Sequence, residues 1–289
     1  MHKVQAKAIL SAKNGMNIYR GCQHGCIYCD ARSTCYQMNH VFEDIEVKEN
    51  APQLLEAALK RKRKKCMIGT GAMSDPYMPL EMELNLTRQC AELIERYGFG
   101  LTVLTKSDNV LRDLDLLREF PDARVGFSIN TLDEAFKEDM DQAVSIERRL
   151  LAMKKLHNAG IRTTCFISPI FPGITDVTAI IDRVKDQCNL VWLENLNLRG
   201  SYKTAILAYI KEKHPDLVPL YEEIYQYGSR LYWESLDGVV RSYAEKNGLE
   251  YFRDDDTMKK PFDAPPVIVN FFYHEEIKKS AKRGGKKNA

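Results

Sequence analysis

The sequence predicts an α/β protein: a partial (β/α)6 TIM-like barrel, parallel strands inside and helices outside, with a C-terminal extension. Three observations predict it. Short apolar segments alternate six times with longer segments that carry helix-capping and helix-ending residues. The apolar segments read as strands covered on both faces, as in a parallel sheet with helices outside. The chain is 289 residues long, with 44% hydrophobic and 28% charged residues. That is ordinary globular usage and ample for a sizeable core. It excludes a disordered chain, a collagen-like repeat and a coiled coil.

The elements follow in order. Met16–Arg20 is the first strand. Asn50 caps a helix that reaches Lys65, with Pro52 in its first turn. Cys66–Gly69 is the second strand, and the helix after it runs from about Leu84 to Tyr97 and ends at Gly98. Leu101–Thr105 is the third strand, followed by a helix over Leu111–Phe120 that Pro121 stops. Arg124–Ile129 is the fourth. Ser145 caps the next helix, which extends to Ala159 with Gly160 just past its end. Ile161–Ile167 is the fifth strand, and Thr175 or Asp176 caps a helix reaching Gln187. Leu190–Leu196 is the sixth. Beyond residue 200 the pattern changes to helices over Ala205–Lys213 and Leu220–Lys246. A short strand could begin at Gly248–Tyr251, and Val267–Tyr273 is a compact apolar stretch. Six units make three quarters of a full barrel, and in barrels the chemistry sits at the C-terminal ends of the strands.

Charge names no partner, because 42 basic and 40 acidic residues leave a net +2. No apolar run approaches the length of a membrane span, and the first residues lack a secretory apolar region. The last twelve residues hold six basic side chains and no acidic one, and are read as a frayed, solvated tail. Eight cysteines stand at 22, 26, 29, 35, 66, 90, 165 and 188. Three crowd into eight residues, which favours a metal site in a reducing cytoplasm over a disulfide framework. Cys66, Cys90, Cys165 and Cys188 fall in strands and helices and are expected in the core.

The segment Gly21-Cys22-Gln23-His24-Gly25-Cys26-Ile27-Tyr28-Cys29-Asp30 follows the first strand with the spacing Cys-x3-Cys-x2-Cys. A [4Fe–4S] cluster held entirely by protein needs four thiolates. Three on one tight loop leave one iron open for other chemistry. The alternative is a non-catalytic, zinc-stabilised binding module completed by Cys35. Zinc modules usually place their cysteines in separated pairs, and this run is not paired. His24 and His40 are expected at the surface, and Glu194, in an apolar run, is expected to need a partner such as Arg199.

The run from Asn17 to Asp30, with Tyr28 before Cys29, resembles the cluster loop of radical S-adenosylmethionine (SAM) enzymes. More narrowly it resembles the spore-photoproduct-lyase-like branch, described as DNA-repair-photolyase-related. Matches after the later strands extend the resemblance over roughly residues 14–200: Ser74-Asp75-Pro76-Tyr77, Thr105-Lys106-Ser107, Ser128 and Pro169-Ile170-x-Pro172-Gly173. The resemblance implies a [4Fe–4S] cluster on Cys22, Cys26 and Cys29. It also implies reductive cleavage of SAM to a 5′-deoxyadenosyl radical that abstracts hydrogen from a substrate. By the same resemblance the cofactor-binding residues are Tyr28 beside the adenine, Ser74 and Asp75 in place of the family's Gly-Gly-Glu-like segment, Lys106 pairing the carboxylate, Ser128, and Asn195 at the adenine or substrate pocket, alongside Asn197. Ala72 stands where the photoproduct lyases carry a hydrogen-donor cysteine, so repair by that route is not expected. A cytoplasmic reductant such as flavodoxin or ferredoxin is implied. The substrate remains a nucleic acid, a small molecule or a peptide. The expected organisation is an N-terminal arm (1–13), a radical SAM core (14–215), a C-terminal helical extension (216–277) and a basic tail (278–289).

Overall fold

Among the described residues of the computed structural model, eleven strands build two sheets: His2–Val4 (β1), Gly15–Met16 (β2), Tyr19–Arg20 (β3), Glu46–Lys48 (β4), Met67–Thr70 (β5), Gly100–Thr105 (β6), Ala123–Ser128 (β7), Arg162–Ile170 (β8), Leu190–Asn195 (β9), Glu250–Phe252 (β10) and Ile268–Phe272 (β11). The structure describes residues 1–33, 38–200, 202–253 and 267–273. The large sheet is parallel throughout, in the order β10-β11-β9-β8-β7-β6-β5-β2. Its ends β2 and β10 do not meet, so the sheet is an open arc rather than a closed barrel. The six units expected from the sequence form most of that arc, from β2 to β9.

Alternation along each strand separates two faces. On β8, Cys165 and Ile167 are buried in the main core, whereas Phe166 and Ser168 face the cavity inside the arc. The helices Leu86–Arg96, Ile146–Asn158 and Val177–Val184 supply the other side of that core. Ser145 and Asp176 cap their helices as expected, by accepting from the backbone N–H groups of Arg148 and Ala179. Cys90, Cys165 and Cys188 are buried among apolar neighbours, as expected, and Cys66 is half-buried against the same core. No helix among the described residues is long and apolar enough to cross a membrane.

Several expectations are corrected. Met16–Arg20 is not one strand. β2 ends at Met16, and β3 leaves the large sheet to pair antiparallel with β4 in a small sheet of order β1-β4-β3. Asn50 precedes the helix Ala51–Arg61 without capping it, because its amide exchanges two hydrogen bonds with the Ala6 backbone, each of 2.9 Å. The helix expected over Leu111–Phe120 is mostly a 3-10 turn, Asp108–Asp113, with one short helix, Leu114–Leu117. A helix at Glu134–Met140 was not expected. Leu220–Lys246 is broken into Val218–Tyr225 and Leu231–Lys246, with Gly228 at φ 74° between them. The C-terminal region is not purely helical, since β11 and β10 extend the sheet beyond β9. The basic tail lies outside the described residues.

Candidate active site

The C-terminal ends of the strands surround a cavity of about 440 Å3. Its walls include Cys22, Cys26 and Cys29 from the loop after β3. Tyr28 comes from the same loop, Ala72, Ser74 and Asp75 follow β5, and Lys106 and Ser128 end β6 and β7. Asn195 and Asn197 stand at the end of β9. The structure therefore brings together the three cysteines and Tyr28, Ser74, Asp75, Lys106, Ser128 and Asn195, the nine cluster and cofactor residues expected from the sequence, together with Asn197 and Ala72.

Local geometry shapes the cysteine loop. The N–H groups of Gly25 and Cys29 donate to the carbonyls of Cys22 and Cys26, so the chain turns twice within eight residues. Gly21 has φ 84°, and a Cβ there would lie 2.2 Å from the Phe42 carbonyl oxygen, so no other residue fits that contact. Arg32 donates to the Cys26 and Gly25 carbonyls (2.9 and 3.1 Å) and lies over the Phe42 ring. On the far flank, Ile27 N–H donates to Met140 O and Gln142 N–H to His24 O. Asp30 accepts from Arg199 at 2.7 Å and from the Tyr202 hydroxyl at 3.1 Å, which ties the end of the loop to the segment after β9.

Burial pushes all three loop thiols above their ordinary range, Cys26 to about 11. Taking up a metal group therefore releases protons. Lys106 experiences two opposing effects. Burial, and to a lesser degree Arg149, lowers its affinity for a proton, but the negative charge of the Cys26 thiolate and Asp141, with that of the Cys29 thiolate, outweighs this and raises its pKa. Its Nζ lies 5.6 Å from the centre of the Tyr28 ring.

Asp75 is the hub behind this wall. Its Oδ1 accepts from Tyr77 N–H (2.8 Å) and the Thr105 hydroxyl (2.7 Å), and its Oδ2 from Lys106 N–H (2.6 Å) and His24 Nε2 (3.0 Å). Burial alone would raise its pKa, but these donors, His24 foremost, bring it down to about 2. Both oxygens are thus already engaged, and Asp75 joins the loops after β5 and β6 to the cysteine loop. The Ser74 hydroxyl donates to Tyr19 O at 2.9 Å. Behind Tyr28, a buried ion pair of Arg149 and Asp141 (2.7 Å) receives the Tyr28 hydroxyl at 3.3 Å, and Arg149 also donates to the Ser128 carbonyl. Tyr28 packs edge-on against Phe171.

Sequence reasoning missed three of these groups. His24 is not at the surface but 4% exposed and bonded to Asp75. Glu194 accepts from the Ser168 hydroxyl at 2.6 Å, and Arg199 donates to Asp30, contacts the sequence did not announce. The Arg149–Asp141 pair carries no local signal in the sequence.

The donor set fits an iron–sulfur group. Three thiols line one wall of an open cavity, with cationic Lys106 beside Cys26 and Cys29. Comparison with known proteins agrees. A model of the radical SAM superfamily matches residues 16–183. An uncharacterized protein of Methanocaldococcus jannaschii is 38% identical over 211 residues, which cover 72% of this chain and 79% of that one. A radical SAM Nalpha-GlyT isomerase of Pseudomonas phage M6 is 24% identical over 167 residues, 56% of this chain and 35% of that one. Among solved structures, spore photoproduct lyase complexed with a dinucleoside spore photoproduct shares the fold with a TM-score of 0.54 at 18% identity, over 72% of this chain. The chain spans 64% of that lyase's length. Another structure of the lyase, a double mutant with a TM-score of 0.51, carries bound S-adenosylmethionine. With a family match over more than half its length, and a cysteine loop at the mouth of the expected sheet, this chain belongs to the radical SAM superfamily of enzymes, whose cofactors are a [4Fe–4S] cluster and SAM.

Proposed function

We propose that Cys22, Cys26 and Cys29 hold the cluster and that Tyr28, Ser74, Asp75, Lys106, Ser128 and Asn195 surround the SAM molecule. The observation that carries this reading is that all nine line one cavity at the C-terminal ends of the strands. When bound, the cluster supplies the electron that cleaves the SAM sulfonium, giving methionine and a 5′-deoxyadenosyl radical for hydrogen abstraction.

The chain's own residues divide the remaining work. The Lys106 ammonium, held charged beside the thiols, pairs the methionine carboxylate of SAM. Asp75 is a positioning residue, since its Oδ2 accepts from the Lys106 N–H and fixes where that side chain begins. The Tyr28 ring supplies an aromatic face at the adenine, and Ser128 and Asn195 supply polar groups along the nucleoside. Phe42, Phe166 and Leu196 give the cavity apolar walls that limit water. Ala72 also lines it, and no cysteine outside the triad does so among the described residues. We therefore read the reaction as one without a protein thiol donor at position 72, distinct from photoproduct repair by that route. The organisation into an arm, a core and an extension, a cytoplasmic setting and a flavodoxin- or ferredoxin-like electron donor belong to the same proposal. The cysteines are free thiols among the described residues, which accords with a reducing compartment.

Iron counting tests the ligand set. Anaerobically reconstituted Cys22→Ala, Cys26→Ala and Cys29→Ala should each lose most iron, while Cys35→Ala retains it. Cys35 lies outside the described residues. Equal iron loss on replacing Cys35 would bring it into the site and overturn the three-thiolate assignment.

A further inference from the structure

The small sheet beside the cavity carries a second set of ligand-type side chains, independent of the cofactor site. β1 runs parallel to β4 with His2 opposite Glu46, and the segment leading into β4 brings His40 against them. The two imidazole rings meet edge-on with centroids 4.9 Å apart. His40 Nε2 lies 3.8 Å and His2 Nε2 4.0 Å from the same carboxylate oxygen of Glu46. One nitrogen from each ring and one carboxylate oxygen all lie within 4.8 Å of one another.

Those separations are too long for hydrogen bonds. His40 Nε2 is buried and has no hydrogen-bond partner among the described residues, which is costly for a polar atom unless something else occupies the gap. The opposite ring nitrogens are both engaged. His40 Nδ1 is 3.0 Å from Val41 O, and His2 Nδ1 is 2.9 Å from Asp44 Oδ2. A carbonyl or carboxylate oxygen accepts, so each Nδ1 carries a proton, and Nε2 is the nitrogen each ring has left to offer a metal. Metal-binding histidines have their tautomers fixed in the same way, by an acceptor on the far nitrogen.

We propose that His2, His40 and Glu46 form a divalent metal site of the zinc class, with Asp44 orienting His2 and the fourth position open to water. Two neutral imidazoles and one carboxylate are a zinc-type ligand set. Tetrahedral zinc at such ligands needs donor atoms about 3.3 Å apart, so each side chain has to move by less than about 1 Å. The ligands are reachable, because the His2 side chain is 39% exposed while those of His40 and Glu46 are mostly covered. The ion would clamp β1 and the segment before β4 onto β4, and β4 pairs with β3, from which the cysteine loop departs. It would thus be a structural ion that stiffens the outer flank of that loop.

The test uses full-length protein without a polyhistidine tag. Its cluster is reconstituted first, so that iron occupies the thiolates. The protein is then equilibrated with zinc sulfate and washed, and both metals are counted. One zinc per chain is expected beyond the iron, together with a zinc-dependent rise in Tm. His40→Ala and Glu46→Gln should each lose the zinc and the Tm response while keeping wild-type iron. Asp44→Asn should bind zinc about ten- to a hundredfold more weakly. Should one of these variants fail to keep iron, His2→Gln, at a half-exposed position on β1, serves in its place. Absence of zinc from wild type would overturn the site, as would zinc retained by the ligand variants. Zinc that merely falls in step with iron would overturn it too, since that metal would be sitting on the thiols. Loss of the cluster assignment itself would show in iron alone and leave the zinc stoichiometry unchanged.

Discussion

Lys106 and Asp75 make the most specific claims about single residues. Lys106→Met keeps much of the apolar stem and deletes the charge that faces Cys26 and Cys29. A charge-assisted hydrogen bond contributes about 1.5–3 kcal/mol, so SAM affinity should fall about ten- to a hundredfold with iron content unchanged. An anaerobic titration at matched iron loading reads this, and unchanged affinity would remove Lys106 from the site. Asp75→Asn should behave differently. Each carboxylate oxygen faces a backbone N–H, from Tyr77 on one side and Lys106 on the other. An amide nitrogen therefore meets a donor whichever way it turns. The expected cost is about 2–4 kcal/mol of stability, together with weakened SAM binding, measured by denaturant unfolding and the same titration. The sequence made the three cysteines legible because their spacing is local. It did not make His24 legible, because its partner Asp75 lies 51 positions away. A histidine flanked by glutamine and glycine shows no apolar pattern that would announce burial.

Among the elements, the cysteine loop depends on close backbone approach more than on side-chain packing. Gly21→Ala places a methyl group against the Phe42 carbonyl at a positive φ. The variant should lose more than about 1 kcal/mol and most of its cluster-binding capacity, even though no ligand has changed. Iron content and thermal unfolding of the variant check this, and wild-type values for both would contradict the account. The regular strand–helix units were readable because strand burial and capping are written into neighbouring residues, as at Ser145 and Asp176. The exceptions have tertiary causes. β3 parts from β2 to pair with β4, a choice made by a segment more than twenty residues later. Asn50 has the chemistry of a cap but finds a better-placed backbone partner at Ala6. Gly228 breaks what reads as one long helix.

At the scale of the whole molecule, the described residues build an arc of eight parallel strands beside a small second sheet, and the arc's last two strands come from a region the sequence marked only as an apolar stretch and a possible strand start. β11 lies against β9 with Phe271 fully buried, so Phe271→Ala should cost about 3–5 kcal/mol. Denaturant unfolding should show this loss spreading to the site, because β9 carries Glu194 and Asn195 into the cavity. A loss below about 1 kcal/mol would mean that β11 is only loosely attached. β11 was not legible as a seventh strand because no βα unit delivers it directly after β9. Among the described residues, three α-helices (Tyr202–Lys213, Val218–Tyr225 and Leu231–Lys246), a short 3-10 turn and β10 intervene. The central claim is that this arc holds a cluster and SAM in one cavity, and it is tested most directly by product formation. Reduced, reconstituted protein is incubated anaerobically with SAM, and 5′-deoxyadenosine is quantified. Slow release without added substrate, lost in Cys26→Ala, is the predicted result. No 5′-deoxyadenosine from protein with an intact cluster and bound SAM, under any strong reductant, would contradict it.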